Sequence, residues 1–394
     1  MSRRFKRLET NAVRAGEPQP RIAGAVAMPI FQSAMFEYAG ETSYHDLKYI
    51  RLNNTPNHVA LQAKLAALEG GESALVAASG MAAISTALLT LLKPGDHLLA
   101  QDCLYGGTHD LLTHEFVELG IETSFIDGDD PSSWEQLVTP RTRAIYVESL
   151  TNPLLQVADL PAAARFAQDH GLVSLIDNTF ASPVNFRPLE HGFDLVLHSC
   201  TKYLNGHSDI VAGAVVGSRA WIERVTHRLN HLGGSLDPHA CFLLDRGIKT
   251  LVVRVQHQNR SAQAIAERLE RHPAVARVNY AGLPSHPRHQ RARTLFAGFS
   301  GMLSFELHGG AEAAAGFIAR TSLPIIAPSL GSTETLLTRP ALTSHAGMTR
   351  ERRLAAGIGD GLIRMSVGLE STDEIAEDVL QALDAVAAPA RHSM

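Results

Sequence analysis

Short apolar strands alternate with helical segments from residue 73 to residue 199, and this alternation constrains the fold more than any other feature of the chain. The predicted strands are apolar along their whole length, which is typical of a parallel sheet that helices cover on both faces. They lie at 73–79, 97–102, 122–127, 143–149, 172–177 and 193–199, with helices between them, including one at 131–138. The pattern predicts an α/β protein, whose ligands bind beyond the carboxyl ends of the strands.

The C-terminal part of the chain follows a different pattern. Residues 221–270 are predicted to be helical, and short strands and helices follow from residue 275, ending in a helix that begins at residue 372. We therefore predict a large domain with a mostly parallel sheet at 51–245 and a smaller C-terminal α+β domain at 246–394. Residues 1–50, which have little periodicity, are predicted to form an extended arm that contacts a neighbouring subunit.

Composition excludes several classes of protein. The 394 residues carry a formal net charge of −5, which gives no reason to expect a nucleic acid or an anionic membrane as a partner. The most apolar window is too short to cross a bilayer, and no apolar signal segment follows the basic N-terminus. The three cysteines are widely spaced, so we expect a reducing, cytoplasmic compartment.

A lysine stands just beyond one predicted strand, in the stretch HSCTKYLNGHSD at 198–209. An amine that is buried at such a position has a lowered pKa, and the neutral amine forms Schiff bases with aldehydes. The hydroxyls of Ser199 and Thr201 flank Lys202 and are suited to binding the phosphate of pyridoxal 5'-phosphate. The alternative is a lysine whose amine simply reaches solvent, which is the common case.

An enzyme that uses pyridoxal phosphate needs further groups, and they follow other predicted strands. Asp177 ends the strand LVSLID and could hold the pyridine nitrogen protonated. Gly80 and Met81 begin a helix after the first strand, where backbone amides bind phosphate. Tyr105, which two glycines follow, could lie against the cofactor ring. Each alone is explained equally well by a turn, a helix cap or a loop tyrosine, but together they indicate one site.

The carboxylate of an amino-acid substrate also needs partners. Arg364 lies within the apolar segment LIRMSVGLE, where an unpaired guanidinium is costly, and arginine binds carboxylates through two parallel hydrogen bonds. Asn152 ends another strand, in ESLTNPLLQ, and could bond the substrate carboxylate or the phenolic oxygen of the cofactor.

Several motifs make the chain resemble the cystathionine lyase and synthase family, the pyridoxal-phosphate enzymes of cysteine and methionine metabolism. They are SGMAAI, YGGT, ESLTNP, LIDNTF, SCTKYLNGHSD, SLGSTET and LIRMSVGLE. The resemblance implies fold type I of the pyridoxal-phosphate enzymes, with a large cofactor domain and a smaller C-terminal domain. It also implies a homotetramer, built as a dimer of dimers with shared active sites.

The same resemblance implies a role for each site residue. Lys202 would carry the cofactor as a Schiff base, Asp177 would pair with the pyridinium, and Tyr105 would stack on the ring and act as an acid or base. The phosphate would be bound by Gly80, Met81, Ser199 and Thr201, and by Tyr49 and Arg51 of a neighbouring subunit. The substrate carboxylate would be held by Arg364, Asn152 and Ser329.

The chain departs from the family pattern in two places. The segment YIRLNNTPNH keeps Asn54 but has Thr55 before Pro56, where the family reads Asn-Pro-Thr. Because that segment would border the active site of a neighbouring subunit, its altered shape leaves the identity of the substrate open. Gly107 stands where methionine γ-lyases typically carry a cysteine, which argues against that activity.

We therefore expect a carbon–sulfur lyase that acts on cystathionine or a related sulfur amino acid by α,γ- or α,β-elimination. A cystathionine γ-synthase or an O-acylhomoserine sulfhydrylase would use the same residues and is the alternative; a non-catalytic oligomer of the same fold is a remote one. A Rossmann oxidoreductase is disfavoured because no GxGxxG follows the first strand. The histidines His198, His207 and His345 fit no usual ligand spacing, so we expect no metal.

Overall fold

The computed structural model of the chain describes residues 5–387 and divides the protein into two compact units. The first unit comprises Met1–Asp102, Gly107–Ser149 and Ala158–Val252. The second unit comprises Cys103–Gly106, Leu150–Val157 and Val253–Met394. Two short segments that follow strands of the first unit therefore belong to the second. Of the predicted arm and C-terminal domain, residues 1–4 and 388–394 lie outside the described residues.

The first unit is built on a seven-stranded sheet. Its strands are β1 (Ser73–Ala77), β2 (His97–Gln101), β3 (Glu122–Ile126), β4 (Thr142–Glu148), β5 (Val173–Asp177), β6 (Leu195–Ser199) and β7 (Gly213–Gly217). They are ordered β1-β7-β6-β5-β4-β2-β3. Only β7, which the sequence pattern did not predict, pairs antiparallel with its neighbours, so the expected mostly parallel sheet is confirmed.

Helices cover this sheet. They are α1 (Leu8–Arg14), α2 (Pro56–Glu69), α3 (Gly80–Leu91), α4 (Gly106–Asp110), α5 (Phe116–Glu118), α6 (Leu160–Asp169), α7 (Ser182–Asn185), α8 (Arg219–Leu232) and α9 (Pro238–Ile248). A π-helical turn at Leu111–Glu115 joins α4 to α5. Helices α2, α3 and α8 pack on β1 or β7, and α6 packs on β4 and β5. Because β2 and β7 are buried at every residue, both faces of these strands are covered.

Two local predictions in the first unit were wrong. The helix expected at 131–138 is a pair of 3-10 turns, because Ser132 and Ser133 bond back to Asp130 and compete with helical hydrogen bonding. The arm expected to be extended contains α1, which packs on α2 and buries Ala12. Apart from α1, residues 5–50 contain only 3-10 turns and one isolated β-bridge.

The second unit has its own sheet and core. The strands β8 (Val275–Asn279), β9 (Met302–Leu307), β10 (Ile325–Ile326), β11 (Leu336–Thr338) and β12 (Leu362–Ser366) are ordered β10-β11-β12-β9-β8. The helices are α10 (Leu251–Leu269), which begins in the first unit, α11 (His289–Leu295), α12 (Gly310–Ile318), α13 (Arg350–Ala355) and α14 (Thr372–Ala387). Phe305 and Phe317 meet edge to face in the core at a centroid distance of 5.5 Å. Among residues 5–387, no helix is long and apolar enough to cross a membrane.

Candidate active site

The first candidate group lies where β1 passes into α3. Ser79 caps the helix, because its hydroxyl accepts the N–H of Ala82 at 3.0 Å. The N–H groups of Gly80 and Met81 are the first two of the helix and have no acceptor within it. Such a helix start carries a partial positive charge and binds anions.

Ser199 lies directly against this helix start. A Cβ atom at position 80 would come within 2.8 Å of Ser199 Cβ and 3.0 Å of its hydroxyl oxygen, so only glycine permits the approach. The structure therefore brings together two of the predicted phosphate ligands. A hydroxyl beside exposed helix amides is a donor set that suits a phosphate group.

The turn after β6 carries the other two residues of the lysine motif. The hydroxyl of Thr201 donates to Ala212 O at 3.2 Å and accepts the N–H of Ala212 at 3.0 Å, so it fixes this turn to the chain before β7. Lys202 is half-buried, and its N–H donates to Ser199 O at 3.2 Å. The turn thus holds Lys202 three residues beyond the strand.

Asp177 ends β5, the neighbour of β6. The residue is 8% exposed, and its carboxylate accepts the N–H of Thr179 at 2.9 Å. Burial raises the pKa of Asp177, whereas the hydrogen bonds from Thr179 and the charge of His198 act in the opposite direction. Because β1, β5 and β6 run parallel, Gly80, Asp177 and Lys202 all follow the same edge of the sheet.

Two residues near Asp177 were missed from the sequence. Thr179 joins the separate groups, since its N–H donates to Asp177 and its hydroxyl accepts the N–H of Ser199 at 2.8 Å. Tyr146 is fully buried on β4, and burial, then the charges of Asp177 and Glu148, raise the pKa of its hydroxyl. A hydroxyl residue in DNT and a tyrosine within an apolar strand are the signals that could have indicated them.

A second candidate group lies in the second unit, around Arg364 on β12. Arg364 is 5% exposed, and its guanidinium donates to Asn152 Oδ1 and to Ser329 O, each at 2.9 Å. Ser329 adopts a φ of 105°, which is unusual for a residue with a side chain, and Gly331 N–H donates to Ser366 on β12. The three residues predicted to bind the substrate carboxylate are therefore in direct contact.

Tyr105 also belongs to the second unit and is 44% exposed. A Cβ atom on the next residue, Gly106, would come within 2.5 Å of Ser344 O. This close approach requires glycine and holds the backbone next to Tyr105 against the loop that carries Ser344.

Tyr49 and Arg51, the predicted ligands for the phosphate of a neighbouring subunit, lie near the C-terminal end of α8 within their own chain. Arg51 donates to Asn230 O at 3.0 Å and to the hydroxyl of Tyr44, and its guanidinium lies 5.6 Å from the centre of the Tyr49 ring. Tyr49 is 38% exposed. Both hydrogen bonds tie the Arg51 guanidinium to its own chain.

The segment that departs from the family pattern forms several hydrogen bonds within its own chain. Asn54 accepts the N–H of Tyr49 at 3.0 Å and donates to Leu47 O at 2.6 Å, so it closes the loop that carries Tyr49. His58 is fully buried between the hydroxyl of Thr55 and Leu236 O, both at 2.7 Å. The unusual residues therefore pack within their own chain and set the shape of the loop.

The three histidines singled out in the sequence are each hydrogen-bonded. His198 contacts Glu69 at 2.6 Å, His207 contacts Asn205 O at 2.7 Å, and His345 contacts the hydroxyl of Ser344 at 2.9 Å. Across residues 5–387, no group of three or more His, Cys, Asp and Glu side chains is arranged to hold a metal ion.

Comparison with known proteins gives concordant matches. The sequence model of the Cys/Met metabolism PLP-dependent enzyme family matches residues 9–384. The chain is 43% identical to cystathionine gamma-lyase from Bacillus subtilis (strain 168) over 362 residues, which are 92% of this chain and 95% of that protein. It is also 43% identical to L-methionine gamma-lyase from Pseudomonas putida over 392 residues, with coverages of 96% and 97%.

A solved structure has the same fold. The crystal structure of cystathionine gamma-lyase from Lactobacillus plantarum, complexed with L-serine, matches with a TM-score of 0.92 and 37% sequence identity. The match covers 97% of this chain and 100% of the solved chain. The expected fold class, with a large mostly parallel sheet and a smaller second domain, is therefore confirmed.

Proposed function

Because the chain belongs to the Cys/Met metabolism PLP-dependent enzyme family, we propose that it cleaves the carbon–sulfur bond of cystathionine or of a related sulfur amino acid. Membership extends over nearly the whole chain and confirms the predicted family, the dependence on pyridoxal 5'-phosphate and the carbon–sulfur lyase class. The choice of substrate and the role of each residue are our proposals.

The residues present fit pyridoxal phosphate. Gly80 and Ser199 approach each other so closely that no Cβ would fit at position 80. This approach offers backbone amides and a hydroxyl to the phosphate, and it is the observation that carries the proposal. Asp177 is buried at the same edge of the sheet and would pair with a protonated ring nitrogen. When bound, the cofactor supplies an electron sink that stabilises negative charge at the substrate Cα.

Lys202 is the residue that would bind the cofactor aldehyde and move protons. Lys202 is half-buried. In its neutral form the amine is the nucleophile toward an aldehyde and a general base toward the α-proton of the substrate. The tight turn after β6 holds the lysine backbone, so the same side chain would serve both tasks. The proton that Nζ has taken can then be given to the leaving sulfur, with Tyr105 as the second candidate donor.

The remaining residues would orient the substrate. Arg364, held by Asn152 and Ser329, would bind the substrate carboxylate through two parallel hydrogen bonds. Binding the carboxylate at a fixed place determines which side of the amino acid meets the base, and such positioning supplies much of the rate enhancement in enzymes.

We also propose a homotetramer of two tight dimers in which Tyr49 and Arg51 complete the phosphate site of the neighbour. The N-terminal segment supports an interface, because Val26, Met35 and Tyr38 are 78%, 73% and 67% exposed. A cytoplasmic location is proposed with it, since Cys200 and Cys241 are buried free thiols.

Incubation of the purified protein with L-cystathionine tests the activity. We expect ammonia together with pyruvate or 2-oxobutyrate, and the identity of the keto acid separates α,β- from α,γ-elimination. L-Methionine should be a poor substrate, because Gly107 replaces the cysteine that is typical of methionine γ-lyases. Turnover that requires cysteine or sulfide and an activated homoserine ester would instead establish the synthase or sulfhydrylase alternative.

A further inference from the structure

The loop between β10 and β11, residues 327–335, carries the carbonyl that holds Arg364. Within it, Ser329 has a φ of 105° and Gly331 a φ of 71°. A φ in this range is costly for a residue with a side chain, and it persists only where the surrounding structure enforces it. The position of Ser329 O on the Arg364 guanidinium therefore depends on what holds the 327–335 loop.

The first support of this loop comes from β12, the strand that carries Arg364. Ser366 lies two residues beyond Arg364, so both side chains project from the same face of the strand. Ile363 and Met365, which alternate with them, belong to the apolar core on the other face. Ser366 is 1% exposed, and its hydroxyl accepts the N–H of Gly331 at 2.8 Å. One strand thus presents the guanidinium and the hydroxyl that fixes the loop around it.

Two further side chains hold the rest of the 327–335 loop. Gln258 on α10 is fully buried, and its amide donates to Ser332 O at 2.7 Å. Glu370, which follows β12, accepts both the N–H and the hydroxyl of Thr335, at 2.7 Å and 2.8 Å. The loop is therefore held on the C-terminal side of Ser329 by side chains from α10, from β12 and from the segment after β12.

The contact between Ser366 and Gly331 is shielded from water, which determines what its loss would cost. A buried N–H that loses its acceptor is left unpaired, so the backbone around it shifts to find another partner. A shift at Gly331 moves Ser329, two residues earlier in the same loop. The Arg364 guanidinium would then lose one of the two oxygens that orient it and keep only Asn152 Oδ1.

We propose that Ser366 is a positioning residue of the substrate site: by holding Gly331, it keeps Ser329 O on the Arg364 guanidinium, so that the guanidinium meets the substrate carboxylate in one orientation. Glu370 supports the same loop from its other end. This inference rests on the proposed function, because it takes Arg364 as the ligand of the substrate carboxylate. Ser366 acts only through the loop and touches neither substrate nor cofactor in this scheme.

Steady-state cleavage of L-cystathionine by the full chain loaded with pyridoxal 5'-phosphate tests the inference. Ser366→Ala removes the acceptor of the Gly331 N–H. We expect kcat/KM to fall about 10-fold, the size of one lost hydrogen bond to a buried amide, and the change to lie mostly in KM. The dissociation constant of pyridoxal 5'-phosphate, measured by absorbance titration of the cofactor-free chain, should not change.

A double-mutant cycle separates this role from a general loss of stability. In an Arg364→Ala background, Ser366→Ala should cause no further loss in kcat/KM, because no guanidinium remains to be oriented. Ser261→Ala is the matched control, since Ser261 is also 1% exposed in the second unit and its hydroxyl contacts that of Thr372 at 2.6 Å. It should lower the unfolding temperature by an amount similar to Ser366→Ala but leave KM unchanged.

Two results would overturn the inference while the wild type remains active: an unchanged KM in Ser366→Ala, or an equal loss with and without Arg364. Glu370→Gln gives a second route if Ser366→Ala fails to fold, because it replaces one acceptor of Thr335 by an amide donor. It should raise KM without changing cofactor affinity, and an unchanged KM there would also count against the inference. A wild-type protein that binds pyridoxal phosphate but cleaves no sulfur amino acid would instead refute the proposed function, which is a different outcome.

Discussion

The two units carry groups of opposite charge in different structural settings. In the first unit, the acid Asp177 stands at the end of a strand in a mostly parallel sheet, and its carboxylate accepts a hydrogen bond from the backbone N–H of Thr179. In the second unit, the cation Arg364 stands within a strand of a mostly antiparallel sheet, and two neutral oxygens from loops fix its guanidinium.

This difference follows from sheet topology. Parallel strands all end at one edge, so a single edge collects Gly80, Asp177 and Lys202 from three strands. Antiparallel strands end at alternate edges, so the second unit builds its site from a side chain within a strand and from residues such as Ser329 on loops. We therefore expect changes in the first unit to affect cofactor binding and changes in the second to affect substrate binding.

The largest effect is expected from Lys202→Ala. Loss of the amine removes the proposed aldehyde ligand and the base together, so cleavage of L-cystathionine should fall by at least about 1,000-fold. Steady-state product formation measures this, and Lys93→Ala, at an exposed lysine of the same unit, is the control. The loss of one weak contact lowers a rate by about 10-fold. A variant whose activity stays within about that factor of the wild type would therefore contradict the assignment.

Arg364→Ala tests whether a change in the second unit affects substrate binding without affecting cofactor binding. Removal of the guanidinium leaves Asn152 and Ser329 O without this donor, and kcat/KM should fall about 100-fold, equivalent to about 2.7 kcal/mol. The dissociation constant of the cofactor should not change. Arg364→Lys should recover only part of the loss, since lysine lacks the planar fork.

Arg268→Ala is the control for that experiment, because Arg268 forms an exposed ion pair with Asp373 in the same unit. A drop in cofactor affinity that equals the drop in kcat/KM would show that Arg364 does not act on the substrate separately.

A smaller effect is expected from Gly80→Ala. The added methyl group would meet Ser199 at 2.8 Å, so helix α3 or the end of β6 must shift. The proposed phosphate site between Gly80 and Ser199 must then widen. We expect cofactor affinity to fall about 10-fold, as for the loss of one charge-assisted hydrogen bond. Gly347→Ala, where a Cβ would meet nothing within 4 Å, should bind the cofactor normally.

The smallest effect concerns the stability of the cofactor-free protein. Burial raises the pKa of Asp177 above that of the unfolded chain, so its ionisation destabilises the folded state once the pH exceeds the ordinary aspartate value. Asp177→Asn should therefore raise the unfolding temperature at pH 7 by about 2 °C, and the gain should disappear as the pH falls toward that value. A lower unfolding temperature at pH 7 would show that the carboxylate stabilises the folded state.

Much of the first unit could be predicted from the sequence because its strands are apolar along their length and are bounded by clear turns. Strand β7 could not, since glycine stands at both ends of GAVVG, and its first glycine is required by contact with Ser79 O rather than by the strand. The segment at 131–138 looked helical, but local side-chain hydrogen bonds to Asp130 prevailed.

The candidate site was predictable to different extents in the two units. Lys202, Asp177 and Gly80 follow strand ends, so their proximity to one edge was expected from the pattern alone. The contact of Arg364 with Ser329 depends on a loop with an uncommon backbone angle, and only family resemblance indicated it. The engagement of Thr201 with Ala212 and the bridging role of Thr179 depend on hydrogen bonds between distant segments, which no local pattern encodes.

Reduction of the pyridoxal-phosphate-loaded protein with borohydride, followed by peptide mapping, tests the central claim most directly. The account predicts a visible absorbance band that the reductant bleaches and a single pyridoxyl group on the peptide that contains Lys202. An absorbance band that resists borohydride, or a pyridoxyl group on a different lysine with Lys202 unmodified, would contradict it.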